Sequence, residues 1–600
     1  MKIDDHDTVG LQEALRRYLE DERASRAKGE AGGAQEGSAA EGARQREGAR
    51  EKALAAVLAA GVTFWRDQRG DAYATVSREG RIERHAVRSR SFKNIVRLLY
   101  GDANPVRRSG MWFPGALPDQ ALAEVLGAFE ARALRGEERE PRARLCRAAD
   151  GTVWLDLGRP DWSLVRITKA GWEIVPCADV PLIRPPGLLA LPVPQRVPDA
   201  LLQLRSLLNM ASGENVPASR DVDFMLTVSW LAAALYPEGP YPILALDGEQ
   251  GSGKSTASRI LRRLVDPNLA DIRSLPRDER DLAIAAGNGR IVAFDNLSSL
   301  HPDMADALCR VATGSGLGER ALYTNGDEHI AFVQAPVLLN GIPSLLARGD
   351  LADRAIAITL PAIPDDRRRP EAEVWRDFHA AAPGILALLL DALVLALRDA
   401  PTLHLPRLPR MADFARVACA AAPAFGWTPE AVLAAMEENR AGAVISVIEA
   451  DPIAAAIQAL ASERAIWTGT ATELLAEINT RTPPERQRER DWPKDATRLS
   501  ARLRRVAPAL RRAGVEVRQE RTGAARMVSI KAVPTKRAAA SSASPTGAGG
   551  GEPGDAMTLH DANDAGAPFV RAWSPGGARD ADDAGEPSVG GQLSDDEVVL

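Results

Sequence analysis

Residues 241–265 read YPILALDGEQGSGKSTASRILRRLV, and three pieces of that stretch stand in the order a phosphate-binding loop requires. Residues 243–246 are a short apolar run, as expected of a strand buried on both faces of a parallel sheet. Residues 248–255, GEQGSGKS, fit the pattern Gly-x-x-x-x-Gly-Lys-Ser/Thr. Beyond them Ile260, Leu261, Leu264 and Val265 recur at helical spacing. Glycines let backbone N–H groups turn inward without Cβ clashes, and a helix start adds unpaired donors and partial positive charge. The expected ligand is ATP with Mg²⁺, cradled by Gly248, Glu249, Gln250, Gly251, Ser252, Gly253, Lys254, Ser255 and Thr256. Lys254 is expected on the β- and γ-phosphates and the Ser255 hydroxyl on Mg²⁺.

Such a loop needs an acid on the metal side, at the end of a second buried strand. Residues 290–296, RIVAFDN, supply Asp295 after four apolar residues. Many ATPases place glutamate at the next position to polarise the attacking water. Here it is Asn296, whose amide cannot accept a proton, so binding is better supported than hydrolysis. Residues 335–340, APVLLN, form another apolar run and end in Asn340, a candidate sensor of the γ-phosphate. In residues 347–361, ARGDLADRAIAITLP, Arg354 precedes a further apolar strand. It is the first candidate for an arginine finger acting on a neighbouring subunit's nucleotide, with Arg348 second and a salt bridge to Asp350 or Asp353 as the alternative.

Outward from this core, 600 residues exceed one hydrophobic core and imply several domains. The expected organisation is a helix plus disordered linker over 1–52, with the helix at 9–27, and an α+β region over 53–195. Next come the P-loop core over 200–365, a helical segment over 366–460, a basic module over 461–532 and a disordered tail over 533–600. The runs VTFWRD, AYATVS and RIERHAV read as a meander turning at Arg69-Gly70 and Glu79-Gly80. The proline-rich stretch 183–198 reads as a linker clamped onto a neighbour. A net charge of −6 carries no global sign of nucleic-acid binding, though local patches escape that sum. Four scattered cysteines make no CxxC pair, which argues against a zinc site or disulfide framework and fits a reducing cytosol. The acidic N-terminus lacks an apolar leader. The apolar run 385–397, interrupted by Asp391, is too short to span a bilayer and reads as a buried helix.

The basic module reads as helix, loop, helix and two strands, 515–518 and 526–530, an order that fits a winged helix. Leu499, Leu503, Val506 and Leu510 form one stripe, and Pro508 is expected to kink or break that helix. Arg498, Arg502, Arg505 and Arg512 fall elsewhere around it, as DNA-contacting candidates or as a solvated face.

The ordered set GEQGSGKST, RIVAFDN, APVLLNGIP and LADRAI resembles the AAA+ ATPases of the superfamily 3 helicase type, found in primase-helicases of phages, plasmids and large DNA viruses. The resemblance covers roughly residues 200–365 and implies an α/β multidomain protein with an AAA+-like core that works on DNA, as an oligomeric ring, in the cytoplasm. It also implies a DNA-touching hairpin between the Asp295 and Asn340 strands. Asn325-Gly326 is a strong hairpin signal, and His329 is the candidate contact. Two departures stand out: Asn296 after Asp295, and acidic Asp327 and Glu328 at the hairpin tip, which repel phosphates. Both favour a nucleotide switch, such as an initiator or helicase loader, as the alternative to a motor. If the basic end is only a solvated face, a chaperone-like ATPase remains. No paired carboxylates mark a polymerase site; Asp156 and Asp161 stand isolated.

Overall fold

The computed structural model describes residues 48–210, 219–297, 300–320, 328–341, 349–489, 492–522 and 525–533. The helix expected at 9–27, the tip of the Asn325-Gly326 hairpin, Arg348 and the tail beyond 533 lie outside them.

At the centre is a four-stranded sheet in the order Val292–Leu297, Val337–Gly341, Ile243–Gly248, Ala355–Leu360, with every pairing parallel. Successive side chains of a strand face opposite sides, and here the two sides feed two separate cores. Leu244, Leu246, Ala293, Leu338, Ile356 and Ile358 enter one cluster, shared with a second N-terminal sheet and the helical segment. Ile243, Ala245, Val292, Phe294, Val337 and Leu339 enter the other, shared with the C-terminal module. The near-continuous apolar runs in the sequence arise because both faces are covered.

The N-terminal meander, Thr63–Arg66, Ala72–Arg78 and Arg81–Ala86, pairs antiparallel in sequence order. Glu79 and Gly80 turn it with φ of 51° and 75°. Helices Ala49–Ala59, Arg90–Ala103 and Asp119–Ala133 cover it, and Phe64, Phe92 and Phe129 meet in its core. The first of these helices begins inside the stretch expected to be a linker. A second antiparallel sheet, Leu145–Arg147, Val153–Asp156, Leu164–Thr168 and Gly171–Val175, packs its inner face on the central core instead.

Buried charge ties that sheet to the centre. Arg144 and Asp266 are 0% and 1% exposed, and the Arg144 Nε donates to Asp266 Oδ1 at 3.1 Å. Its terminal nitrogens donate to the carbonyls of Asp156, Leu189 and Pro267. Asp266 Oδ2 in turn accepts from the Arg290 and Ile291 amides, at the threshold of the Asp295 strand. The proline-rich stretch is held by Leu189 N to Pro267 O, Leu191 N to Leu157 O and Gln195 N to Pro383 O.

The helix Glu371–Asp399 is long and apolar enough to cross a membrane, but 72% of its most apolar window is buried inside the protein, as in a core helix. Asp391, the charge that interrupts the run, accepts from Trp172 Nε1 at 2.8 Å and from Arg196.

The C-terminal module has helices Pro452–Glu463, Ala471–Arg481 and Ala496–Arg512 against a three-stranded antiparallel sheet. Ala525–Ala532 lies between Ile466–Thr470 and Val515–Thr522. Two expectations are corrected. The two expected strands are longer than foreseen, and Ala525–Ala532 gains Ile466–Thr470 as a third member of the sheet. The last helix runs on through Pro508 to Arg512. Proline removes one main-chain bond, and burial of Leu499, Leu503, Val506, Ala509 and Leu510 holds the rest of that helix together.

Candidate nucleotide site

Ligands of open parallel sheets bind outside the carboxyl ends of the strands. That end of this sheet carries Gly248, Asp295 and Asn340 on three adjacent strands.

Residues 249–253 link Ile243–Gly248 to the helix Lys254–Val265, whose N-cap, Gly253, is left-handed and offers no side-chain cap. The helix therefore opens with N–H groups that no side chain caps, a ready anion site. Gly248 has φ of 143°, and a Cβ there would collide with the Leu360 carbonyl oxygen, so only glycine fits. Lys254 Nζ donates to Gly248 O at 2.6 Å and to Glu249 O at 2.8 Å, which folds the ammonium back over the loop. Ser255 Oγ donates to Asp295 Oδ1 at 3.1 Å across forty residues of sequence. Asn340, 2% exposed, accepts from the Asn296 amide at 3.2 Å and donates to Ser258 Oγ at 3.2 Å. Its amide thus bridges the end of the Asp295 strand to the helix Lys254–Val265.

Asn296 has φ of 57°, where the Asp295 strand breaks register with its neighbour. Asparagine tolerates this left-handed conformation better than most residues. Among the described residues no cluster of three or more His, Cys, Asp or Glu side chains is placed to hold a metal. A hydroxyl and a carboxylate side by side nevertheless suit Mg²⁺, which is held by one or two protein oxygens, waters and substrate phosphates.

Lys254, Ser255, Asp295 and Asn340 therefore converge, whereas Arg354 stands apart. Its carbonyl accepts from the Ile243 amide at the opposite end of the sheet. The register from Ile243↔Ala355 to Gly248↔Leu360 spans five residues, roughly 17 Å of strand. Asp353, beside it, is 5% exposed and gathers Arg410 at 2.7 Å, Arg440 at 3.8 Å and Arg512 at 2.6 Å.

Some neighbours of the loop were not foreseen. Asp247 precedes it, half-buried; desolvation pushes its carboxyl above the usual range, against the opposing pull of the Gly248 amide and the Lys254 charge. Asn209 Nδ2 donates to Pro361 O at 3.0 Å and to Ser252 O at 3.4 Å, stapling the loop to the chain that follows the edge strand. Asp247 was legible as a polar residue ending a buried strand; nothing local marks Asn209.

The candidate DNA-contacting residues divide. Arg502 pairs at 2.9 Å with Asp451, the N-cap of the module's first helix, and Arg512 pairs with Asp353 outside the module, so both guanidiniums are engaged in ion pairs within the protein. Arg498 is 70% exposed in a surface pair with Asp495. Arg505 is exposed, as are Arg504 and Arg511, and among the described residues no acid pairs with these three. His329 stands opposite Glu319 in the hairpin of Ser315–Arg320 with Glu328–Val333. Asp156 is spent on Arg184, both of whose contacts are 2.8 Å.

Two family models match, one after the other along the chain. Residues 204–438 match the model described as actinomycete integrative conjugative element replication protein, and residues 453–545 the AICE RepA C-terminal domain. The chain is similar to the replication protein RepA of these mobile elements. The RepA matches span the phosphate loop, Asp295, Asn340, Arg354 and the basic helix; residues 48–203 fall outside them. Among solved structures, the A form apo structure of the NrS-1 C-terminal region is 12% identical with a TM-score of 0.35, covering 80% of this chain and 98% of that one. A second apo structure of that region is 12% identical with a TM-score of 0.34, covering 82% and 100%. Such scores are too low to establish a shared fold. No curated protein matches.

Proposed function

We propose that this chain is a Mg-ATP-binding P-loop ATPase of the AAA+ type that acts on DNA in the replication of a mobile element. The observation that carries the reading is the convergence of Lys254, Ser255, Asp295 and Asn340 at the start of one helix. The RepA match supplies the replication context. Loop amides and Lys254 bind the phosphates, while Ser255 and Asp295 would hold Mg²⁺, which would supply charge neutralisation on the phosphates. Asn340 couples the state of that site to the Asp295 strand. Lying roughly 17 Å along the strand from its own loop, Arg354 works on a neighbouring subunit's nucleotide, in a cytoplasmic homo-oligomer. The C-terminal module binds DNA as a winged helix through Arg498, Arg504, Arg505 and Arg511.

Calorimetric titration of Mg-ATP, with turnover measured with and without single- and double-stranded DNA, tests this. Lys254→Ala is expected to weaken binding on the order of 10- to 150-fold, the worth of one hydrogen bond to a charged group. Arg354→Ala should bind normally but turn over slowly. No heat from wild-type protein with Mg-ATP would sink the proposal.

Asn296 favours a second reading, a nucleotide switch of the initiator or loader kind. Asn296→Asp keeps a side chain that tolerates the left-handed backbone and adds a carboxylate. Under the switch reading turnover rises by about 10²–10⁴-fold. Under the motor reading the wild type already hydrolyses ATP in response to DNA and the substitution adds little.

A further inference from the structure

More than a hundred residues before the loop in sequence, in the N-terminal region that neither RepA model reaches, a small hairpin stands in solvent. Val106–Arg108 pairs antiparallel with Met111–Phe113. All of residues 105–114 are exposed, with Met111 62% and Trp112 67% accessible. A lone exposed apolar residue needs no explanation, but four on six paired positions do. They are Val106, Met111, Trp112 and Phe113.

The hairpin is a built feature. Ser109 and Gly110 turn it with φ of 50° and 83°, the two-residue geometry that matches strand twist. Its base is fastened to the end of the helix Arg90–Ala103. The Gly115 amide donates to Gly101 O at 3.2 Å, Asn104 Nδ2 donates to Tyr100 O at 3.0 Å, and Leu117 is buried below. Any Cβ at Gly115 would strike the Asn104 carbonyl, so the two ends of the hairpin meet closely.

Its charge says what it fits. Residues 103–118 contain Arg107 and Arg108 and no Asp or Glu. Among the described residues no acid pairs with either arginine, although most arginines of the neighbouring sheet and helices are paired. Arg107 stands opposite Trp112, while Arg108 stands opposite Met111 beside Val106 and Phe113. Because alternate residues face opposite sides, each face of the hairpin offers one guanidinium and one aromatic ring. Single strands are bound by that combination: aromatic rings stack on bases and cations track the phosphates. Duplex DNA hides its base faces and offers no such surface.

We propose that this hairpin is a binding site for single-stranded nucleic acid, with Trp112 and Phe113 stacking on bases and Arg107 and Arg108 on the flanking phosphates. It acts independently of nucleotide binding by residues 248–256. The test uses the full chain without ATP and a labelled oligothymidylate of about 30 nucleotides, longer than one site of roughly 4–16. Anisotropy is read across a salt series. Trp112→Ala with Phe113→Ala is expected to weaken binding by about 5- to 150-fold for each base unstacked. Arg107→Gln with Arg108→Gln should lower the slope of log K against log salt by about 1.4, or roughly 0.7 for each phosphate no longer neutralised. Affinity for duplex of the same length should change little in either variant. The substituted side chains are solvent-exposed, so circular dichroism should stay that of wild type. The proposal is overturned if single-strand affinity and slope are unchanged in both variants, or if duplex affinity falls equally. It is overturned likewise if the variants only abolish self-association on gel filtration or binding to anionic vesicles, with oligonucleotide affinity intact.

Discussion

Arg144→Met is the most informative perturbation of the scaffold. The substitution keeps a long aliphatic stem but strips the cation from a carboxylate that is 1% exposed. Asp266 keeps its bonds from the Arg290 and Ile291 amides, and Arg262 remains 3.8 Å away. The carbonyls of Asp156 and Leu189 lose the guanidinium donor, while Pro267 O keeps the Leu189 amide. Breaking a buried pair by removing one partner costs about 3–5 kcal/mol, and the orphaned carbonyls push toward the upper end. Against a typical domain stability of about 5–15 kcal/mol this is a large fraction. Urea unfolding followed by circular dichroism should show that loss. Asp266→Asn should fall short of it, because asparagine still accepts the two amides. The double variant should be less damaged than the sum, by a coupling of about 0.5–3 kcal/mol. Arg407→Met, in an exposed pair with Glu437, is the control and should leave the curve unmoved. If Arg144→Met costs under about 1 kcal/mol, water reaches the pair and it does not clamp the second N-terminal sheet to the helix Lys254–Val265.

Two further outcomes bear on the loop itself. Gly248→Ala forces a side chain against Leu360 O at a positive φ; strain of about 1–3 kcal/mol should appear as a roughly 5- to 150-fold loss in ATP affinity by calorimetry, with circular dichroism preserved. Asp247 carries a folded-state pKa above its unfolded value, so its contribution is most favourable below the unfolded carboxylate range, near pH 4, and declines as pH rises through the folded value. Asp247→Asn should therefore raise Tm relative to wild type at pH 7 and lose that advantage at pH 4 and below; an equal Tm difference at both pH values would refute the burial argument.

The central sheet and its loop were legible because their determinants are local. Apolar runs of four to six residues, glycines where the backbone must turn, and a polar residue at each strand end place Gly248, Asp295 and Asn340 without tertiary knowledge. The roles of the arginines were not legible, because a guanidinium is committed by whatever the fold brings to it. Arg144 meets Asp266 122 residues away, Arg502 meets Asp451 51 away, and Arg512 meets Asp353 159 away. A helical wheel shows only that such residues face off the apolar stripe. Pro508 misled for a related reason: its local penalty of one missing bond is real, yet five buried apolar side chains on the same helix outweigh it. The sharing of two cores among sheet, helical segment and end modules was likewise invisible, since each strand's alternation says which residues are inside and not what lies across from them.

Asp353 carries a mechanical consequence. Three guanidiniums converge on one carboxylate, two from the stretch that follows the long helix Glu371–Asp399 and one, Arg512, from the tip of the basic helix. Were the C-terminal module to swing outward, the Arg512 grip would break without stranding the acid, because Arg410 and Arg440 also pair with it. Such a joint, one residue from Arg354, would trade counter-ions at far lower cost than tearing open an isolated pair.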